Sequence, residues 1–371
     1  MSKYPLIIST DIGTDVDDAL AVYLATTAAD VDLQAVWVTS GDVDLRAKIA
    51  RKLLHLSGSR AKVLIGEGYP LDGETRSLVM HGYEKGLLTP REHYRSLAWD
   101  IERSGLESVV HMIDSNPGFS ILSIAPMTNI ARLIKARPDI SDKIERIYVM
   151  GGSLGRKEFN FGCDPQAVQV VLESDLSLTV FPTEVCNRYR IPSNLLMNQL
   201  PNRRSLNFIS EMAEALRNYN AFRDALPNIK ETLRLKKIYC TGDMQPQEFL
   251  RDGQLIESLR ELVNTTMTNV ESATSVIIQI NYLAQKYREM RILKEFFDLA
   301  NLKDYAVHDV YALFGLLYPE YTRKVSASLE VDSEGVCEIR SDGKHEFVLN
   351  LDYSKFEEFL LKGLSLKPSE E

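Results

Sequence analysis

Apolar bursts of strand length alternate with helix-like stretches over the first half of this chain, and few folds accommodate that order. Pro5–Thr10 (PLIIST), Leu33–Thr39, Lys62–Ile65, Phe119–Ile124, Ile147–Met150 and Ser177–Phe181 read as buried strands. Between them, Asp17–Ala28, Val43–Leu56, Thr128–Ala136 and a segment opening at Pro165 read as helices, with apolar residues at helical spacing. Strand followed by helix, repeated, implies right-handed βαβ crossovers and a parallel sheet. The expected fold class is α/β, an open, mostly parallel, Rossmann-like sheet with helices on both faces. Residues 193–302 lose the strand pattern and read as a helix-rich insertion within a single domain spanning 1–371. Val325–Leu351 reads as an antiparallel β element with turns at Asp332-Ser333-Glu334-Gly335 and Ser341-Asp342-Gly343, and Tyr353–Leu364 as a closing helix.

Open parallel sheets bind ligands at the carboxyl ends of their strands. Several polar clusters fall there: Asp11–Asp18, Ser40-Gly41-Asp42, the segment from Ala125 to Asn129, and the residues after Met150. The first holds four carboxylates in eight positions, DIGTDVDD, with Gly13 allowing the sharp turn. Acids packed this closely repel one another, and a bound cation relieves the repulsion. Oxygen-rich donor sets suit Ca²⁺ or Mg²⁺. The competing reading is a solvated helix cap, because Asp17 and Asp18 would favour a helix start without any metal. An EF-hand does not fit, since the run follows a strand and its twelfth position is Val22.

Composition narrows the function classes. A formal charge of -9 argues against phosphate-neutralising contact with nucleic acid. The four cysteines, Cys163, Cys186, Cys240 and Cys337, form no CxxC pair and read as reduced thiols. No apolar run approaches the ~20 residues of a membrane span. Nor does the amino terminus carry a secretory pattern, so a soluble cytoplasmic protein is expected.

The acidic run resembles the signature of the nucleoside hydrolases, a strand leading into D-x-D-x-G-x-D-D-A, with Ser9 in place of the first acid and two extra residues between Gly13 and Asp17-Asp18. Other segments resemble the family in order: Gly66-Glu67-Gly68-Tyr69-Pro70-Leu71, His81-Gly82 with Gly86, Ala125–Ala131, Met150-Gly151-Gly152, Glu158-Phe159-Asn160 with Asp164-Pro165, and Val307-His308-Asp309. The resemblance implies hydrolysis of the N-glycosidic bond of a small-molecule ribonucleoside. It makes Asp11 the general base and places Ca²⁺ on Asp11, Asp18, Asp309 and the backbone carbonyl of Ile124. Asp17, Glu158 and Asn160 would hold ribose hydroxyls, Met150 and His81 would line the substrate, and His308 would stabilise the leaving base. Asp42, where the family has Asn, would ligate, bind sugar or raise a neighbour's pKa, and the role of Asp15 is open. One activated water implies inversion at the anomeric carbon. A homodimer or homotetramer is expected by resemblance alone.

Three rivals stand beside this reading. One is a hydrolase of a non-standard riboside such as nicotinamide riboside. The second is a silent family member that only binds nucleoside or a protein partner. The third is a phosphohydrolase, which no Lys or Arg motif supports.

Overall fold

The computed structural model describes residues 4–73, 83–89, 92, 101–217, 220 and 304–366. By backbone contacts the chain divides into two compact units, one comprising Met1–Met80, Leu88–Ala213 and Lys303–Glu371, the other His81–Leu87 and Glu214–Leu302. In the second unit the described backbone includes a 3₁₀ turn at Tyr83–Leu87. Most of the expected helix-rich insertion, 193–302, lies outside the described residues, as does Cys240; residues 204–213 of it are helical.

Among the described residues the main sheet of the first unit has nine strands: β1 (Tyr4–Thr10), β2 (Val31–Val38), β3 (Lys62–Ile65), β4 (Ile101–Glu102), β5 (Phe119–Ile124), β6 (Ile144–Met150), β7 (Leu178–Phe181), β10 (Thr322–Val331) and β11 (Cys337–Leu351). Their order is β10-β11-β7-β6-β5-β1-β2-β3-β4. Every neighbouring pair is parallel except β10 with β11. A short antiparallel pair, β8 (Ile191–Pro192) with β9 (Asp304–Tyr305), lies apart from it. The expected open, mostly parallel α/β sheet is therefore present. β1 sits in its middle with Leu6, Ile7 and Ile8 inaccessible to solvent, as a strand covered on both faces must be.

The helices that position the site are α1 (Asp17–Thr27), α2 (Val43–Leu56), α3 (Gly105–Ser115), α4 (Thr128–Ala136), α5 (Phe159–Cys163), α6 (Pro165–Glu173), α7 (Thr183–Cys186), α8 (His308–Leu317) and α9 (Tyr353–Gly363). From β1 the chain steps outward through β2, β3 and β4, then returns to the far side of β1 and steps the other way through β5, β6 and β7. The loops leaving β1 and β5 thus diverge from adjacent strands, which opens a crevice at their carboxyl ends.

At one expected turn the backbone does something else. β11 runs straight through Ser341-Asp342-Gly343, and the pairing shifts from Ala327↔His345 to Ser328↔Ser341. The segment is a bulge inside a long strand. Gly343 serves that bulge by closeness, since a Cβ there would meet the Ala327 carbonyl oxygen at 2.6 Å. The hairpin is also no separate element, because β11 joins β7 in parallel and extends the main sheet.

Two buried polar side chains knit the loops at this end of the sheet. Asn129, the second residue of α4, donates to the Val38 carbonyl (3.2 Å) and accepts from the Glu67 amide (2.8 Å), tying the ends of β2 and β3 together. Asp164 caps α6 through the Ala167 amide (3.0 Å) and also accepts from the Leu71 amide (2.9 Å) and the Thr128 hydroxyl (2.7 Å). Asp164→Ala removes a cap and strands buried donors, so we expect a loss of about 3 kcal/mol in urea unfolding. A loss below about 0.5 kcal/mol, the range of ordinary surface changes, would show that these loops hold without it.

Candidate active site

The turn after β1 delivers three acids into the interior. Asp11, Asp17 and Asp18 are each less than a tenth exposed, and Asp309, from the first turn of α8, is 4% exposed. The cap residue of α1 is Val16, with no side-chain cap bond. Asp17 and Asp18 are therefore not a solvated helix cap. Oxygens of Asp17, Asp18 and Asp309 lie within 4.8 Å of one another, a spacing one cation can bridge. The Thr10 hydroxyl donates to Oδ1 of Asp18 in a very short hydrogen bond and accepts from the Ile12 amide at 3.1 Å. Ile124 ends β5 in register with Thr10, beside the acidic turn.

The electrostatics follow from burial. Desolvation raises Asp11, offset in part by the Arg46 guanidinium. Desolvation, then the charges of Asp15 and Asp11, pushes Asp17 up to about 8. Asp18 and Asp309 are held well above the usual carboxylate range, first by desolvation and then by the other acids of the group. Such mutual opposition is what a divalent cation removes. The nearby Cys186 thiol is raised as well, chiefly by burial, and stays protonated, so it offers no thiolate. The remaining donors are hard oxygens, which fit Ca²⁺ or Mg²⁺ and not a thiolate-loving metal.

Other expected residues take different places. Glu158 is buried, and its carboxylate accepts from the amides of Asn160 (2.9 Å), Phe161 (3.0 Å) and Gly152 (2.8 Å), folding the loop after β6 onto α5. Burial raises its pKa against these bonds. Asn160 donates to the Met150 carbonyl at 3.1 Å. Gly152 adopts φ +79°, a conformation L side chains resist. His308 Nε2 lies 2.9 Å from Oδ1 of Asn187, and burial and then Arg190 pull its pKa down to about 4, so the ring is neutral near pH 7. Asp42 is exposed and caps α2 by accepting from the Leu45 amide at 3.0 Å. Asp15 is exposed on the turn, and His81 lies outside the described residues.

One buried group escaped the sequence reading. Arg46, in α2, is 1% exposed and reaches Asp11. It shares the i, i+3, i+4, i+7 face of buried Ile49, Ala50 and Leu53, and that placement was the available signal.

Residues 6–358 match the model of the inosine-uridine preferring nucleoside hydrolases. The chain belongs to that family. It is thus an N-glycosyl hydrolase by descent. It is 31% identical to the non-specific ribonucleoside hydrolase RihC of Klebsiella pneumoniae over 226 residues, covering 58% of this chain and 71% of that protein. Among solved structures, an inosine-guanosine nucleoside hydrolase superposes with a TM-score of 0.66 at 17% identity, covering 98% of this chain and 100% of that one. A purine-preferring ribonucleoside hydrolase from Gardnerella vaginalis gives 0.62 at 16%, covering 97% and 98%. At such identities these two establish the fold of the family in this chain. No helix among the described residues is long and apolar enough to cross a membrane.

The raised carboxylates set a pH dependence. Between about pH 4 and the value near 8 of Asp17, the metal-free folded chain holds protons that the unfolded chain releases, so this contribution to stability is lost as pH rises through that window. His308 acts oppositely, its contribution being lost as pH falls from 6.5 toward 4. Between pH 6.5 and 8 the carboxylates dominate. We expect the Tm of chelator-treated protein to fall across that interval, less steeply in Asp17→Asn, and added Ca²⁺ to raise Tm more at pH 8 because cation and protons compete. A Tm that rises with pH and ignores Ca²⁺ would remove the cluster's charge coupling from the account.

Proposed function

We propose that this chain hydrolyses the N-glycosidic bond of ribonucleosides with Ca²⁺ held in the acidic turn and Asp11 as the general base. The observation that carries the reading is the convergence of buried Asp17, Asp18 and Asp309 at the switch point of a parallel sheet, in a chain of this family. Asp18 and Asp309 belong both to the ligand set expected from the motif and to the observed cluster. Asp11 and the Ile124 carbonyl complete that set. Asp17 we keep for the ribose, where it would hold the sugar beside the residues that would hold the cation. A bound Ca²⁺ would supply positive charge that makes a nearby water more acidic.

The chain's own groups divide the remaining work. Asp11 takes the proton of the attacking water at a carboxylate oxygen. Bond breaking passes through a sugar with oxocarbenium character, and holding the ribose in one orientation lowers that barrier. Asp17 and Asn160 hold its hydroxyls. Glu158 sets the backbone from Gly152 to Phe161 and offers the ribose its remaining acceptor capacity. Asn187 accepts from Nε2–H and fixes the ring of His308, the residue we assign to stabilise the departing base, which gathers negative charge and so needs a hydrogen-bond donor or a proton. We also read the protein as a cytoplasmic homodimer or homotetramer, by resemblance.

The test is ribose release from inosine, adenosine, guanosine, uridine, cytidine and nicotinamide riboside, with and without chelator. Activity should fall with chelator and return with Ca²⁺. Asp11→Ala should lower kcat by at least ~10²-fold, the usual scale for a lost general base. The first ribose formed should be the inverted anomer, followed by proton NMR before mutarotation. Ca²⁺ binding without turnover of any riboside would leave a nucleoside-binding protein in place of a hydrolase.

A further inference from the structure

Arg46 joins two loops at the mouth of the sheet. Its Nη1 donates to the Ile12 carbonyl at 3.1 Å, inside the acidic turn, and its Nε donates to the Ser40 carbonyl at 2.6 Å, in the loop between β2 and α2. Nη2 stands 3.9 Å from Oδ2 of Asp11. The Ser40 carbonyl reaches the guanidinium from a backbone at φ +67°, a left-handed conformation costly for a residue with a Cβ, and Gly41 follows at +72°. The Ser40 and Gly41 amides are anchored in turn on the carbonyls of Glu67 (2.8 Å) and Gly68 (2.9 Å). A buried guanidinium, a strained carbonyl turned to meet it and a second carbonyl beside the base make one rigid fork.

We propose that Arg46 is a positioning residue that fixes Asp11 and the turn carrying it in the geometry the cation needs, before the cation arrives. The proposal rests on the reading of the acidic turn as a divalent-cation site. It has a sign that separates it from mere neutralisation of charge. A positive group beside a cation site repels the cation, so deleting it for its charge alone would tighten cation binding. Deleting a group that holds the ligands in place weakens binding, by the 10- to 100-fold typical of residues that orient metal ligands. Lys keeps the charge yet lacks the planar fork that meets two carbonyls and a carboxylate together.

The experiment titrates Ca²⁺ into metal-stripped full-length protein by calorimetry, for wild type, Arg46→Lys and Arg46→Met, with kcat and KM on the best riboside. The expected result is a Kd for Ca²⁺ raised about tenfold or more in both variants, with kcat lowered and KM at saturating Ca²⁺ nearly unchanged. Unchanged or tighter Ca²⁺ binding in either folded variant would overturn the proposal. If Arg46→Met fails to fold, the Lys variant carries the test alone. If wild type binds no Ca²⁺, the cation reading itself has failed. Amide exchange at Ile12 and Gly13 then decides the clamp separately: faster exchange in Arg46→Lys supports it, and equal rates refute it.

Discussion

Carboxylates that share a small volume with little water oppose one another's charge, and the architecture around them exists to keep them there. Asp11, Asp17 and Asp18 come from one turn and Asp309 from the distant helix α8, yet Asp11 and Asp17 raise the pKa of Asp18, and all three raise that of Asp309. Left alone, such a group would protonate or open to solvent. Here the sheet's switch point supplies the crevice, the Thr10 hydroxyl holds Asp18, and the Arg46 guanidinium stands against Asp11. The arrangement is unfavourable as a core and favourable as a cradle, because the interior that opposes bare negative charge strengthens its attraction for a cation.

Around this centre, polar residues of the family motifs work largely on the protein itself. Asn129 bridges the ends of β2 and β3, Asp164 gathers three segments, and Glu158 folds the loop after β6 onto α5. A motif of this kind therefore records two demands together: groups that meet the ligand, and groups that satisfy the buried backbone of the loops presenting them. The second demand explains why acids and amides sit at the rim of the sheet even where they point away from the cluster.

Much of this was legible from sequence because it is local. The strand and helix alternation predicted the parallel sheet, and α2, β3 and β5 fall on their expected bounds, since apolar periodicity and burial agree there. What escaped depends on distant partners. Strand β6 starts at Ile144, before the expected Ile147, because pairing with β5 extends it through polar residues such as Glu145 and Arg146. Asp-Gly at 342–343 signals a reversal in isolation, but β10 runs alongside and converts it to a bulge. Arg46 is in sequence one basic residue of an amphipathic helix, and only the convergence of two loops turns it inward. Asp42 starts α2 through the Leu45 amide, a local role that sequence alone can supply.

The placement of Asp309 has a consequence for how the molecule comes into being. Its carboxylate closes the cluster from α8, while its companions leave β1 within the first eighteen residues. A chain emerging from the ribosome carries the acidic turn while 290 further residues are made before Asp309 appears. Until then the turn has two members of its trio, and in the proposed site full cation affinity would arise only when the segment carrying α8 docks. A cation held by the proposed set would thereby be loaded late, and its capture would help to draw α8 onto the acidic turn.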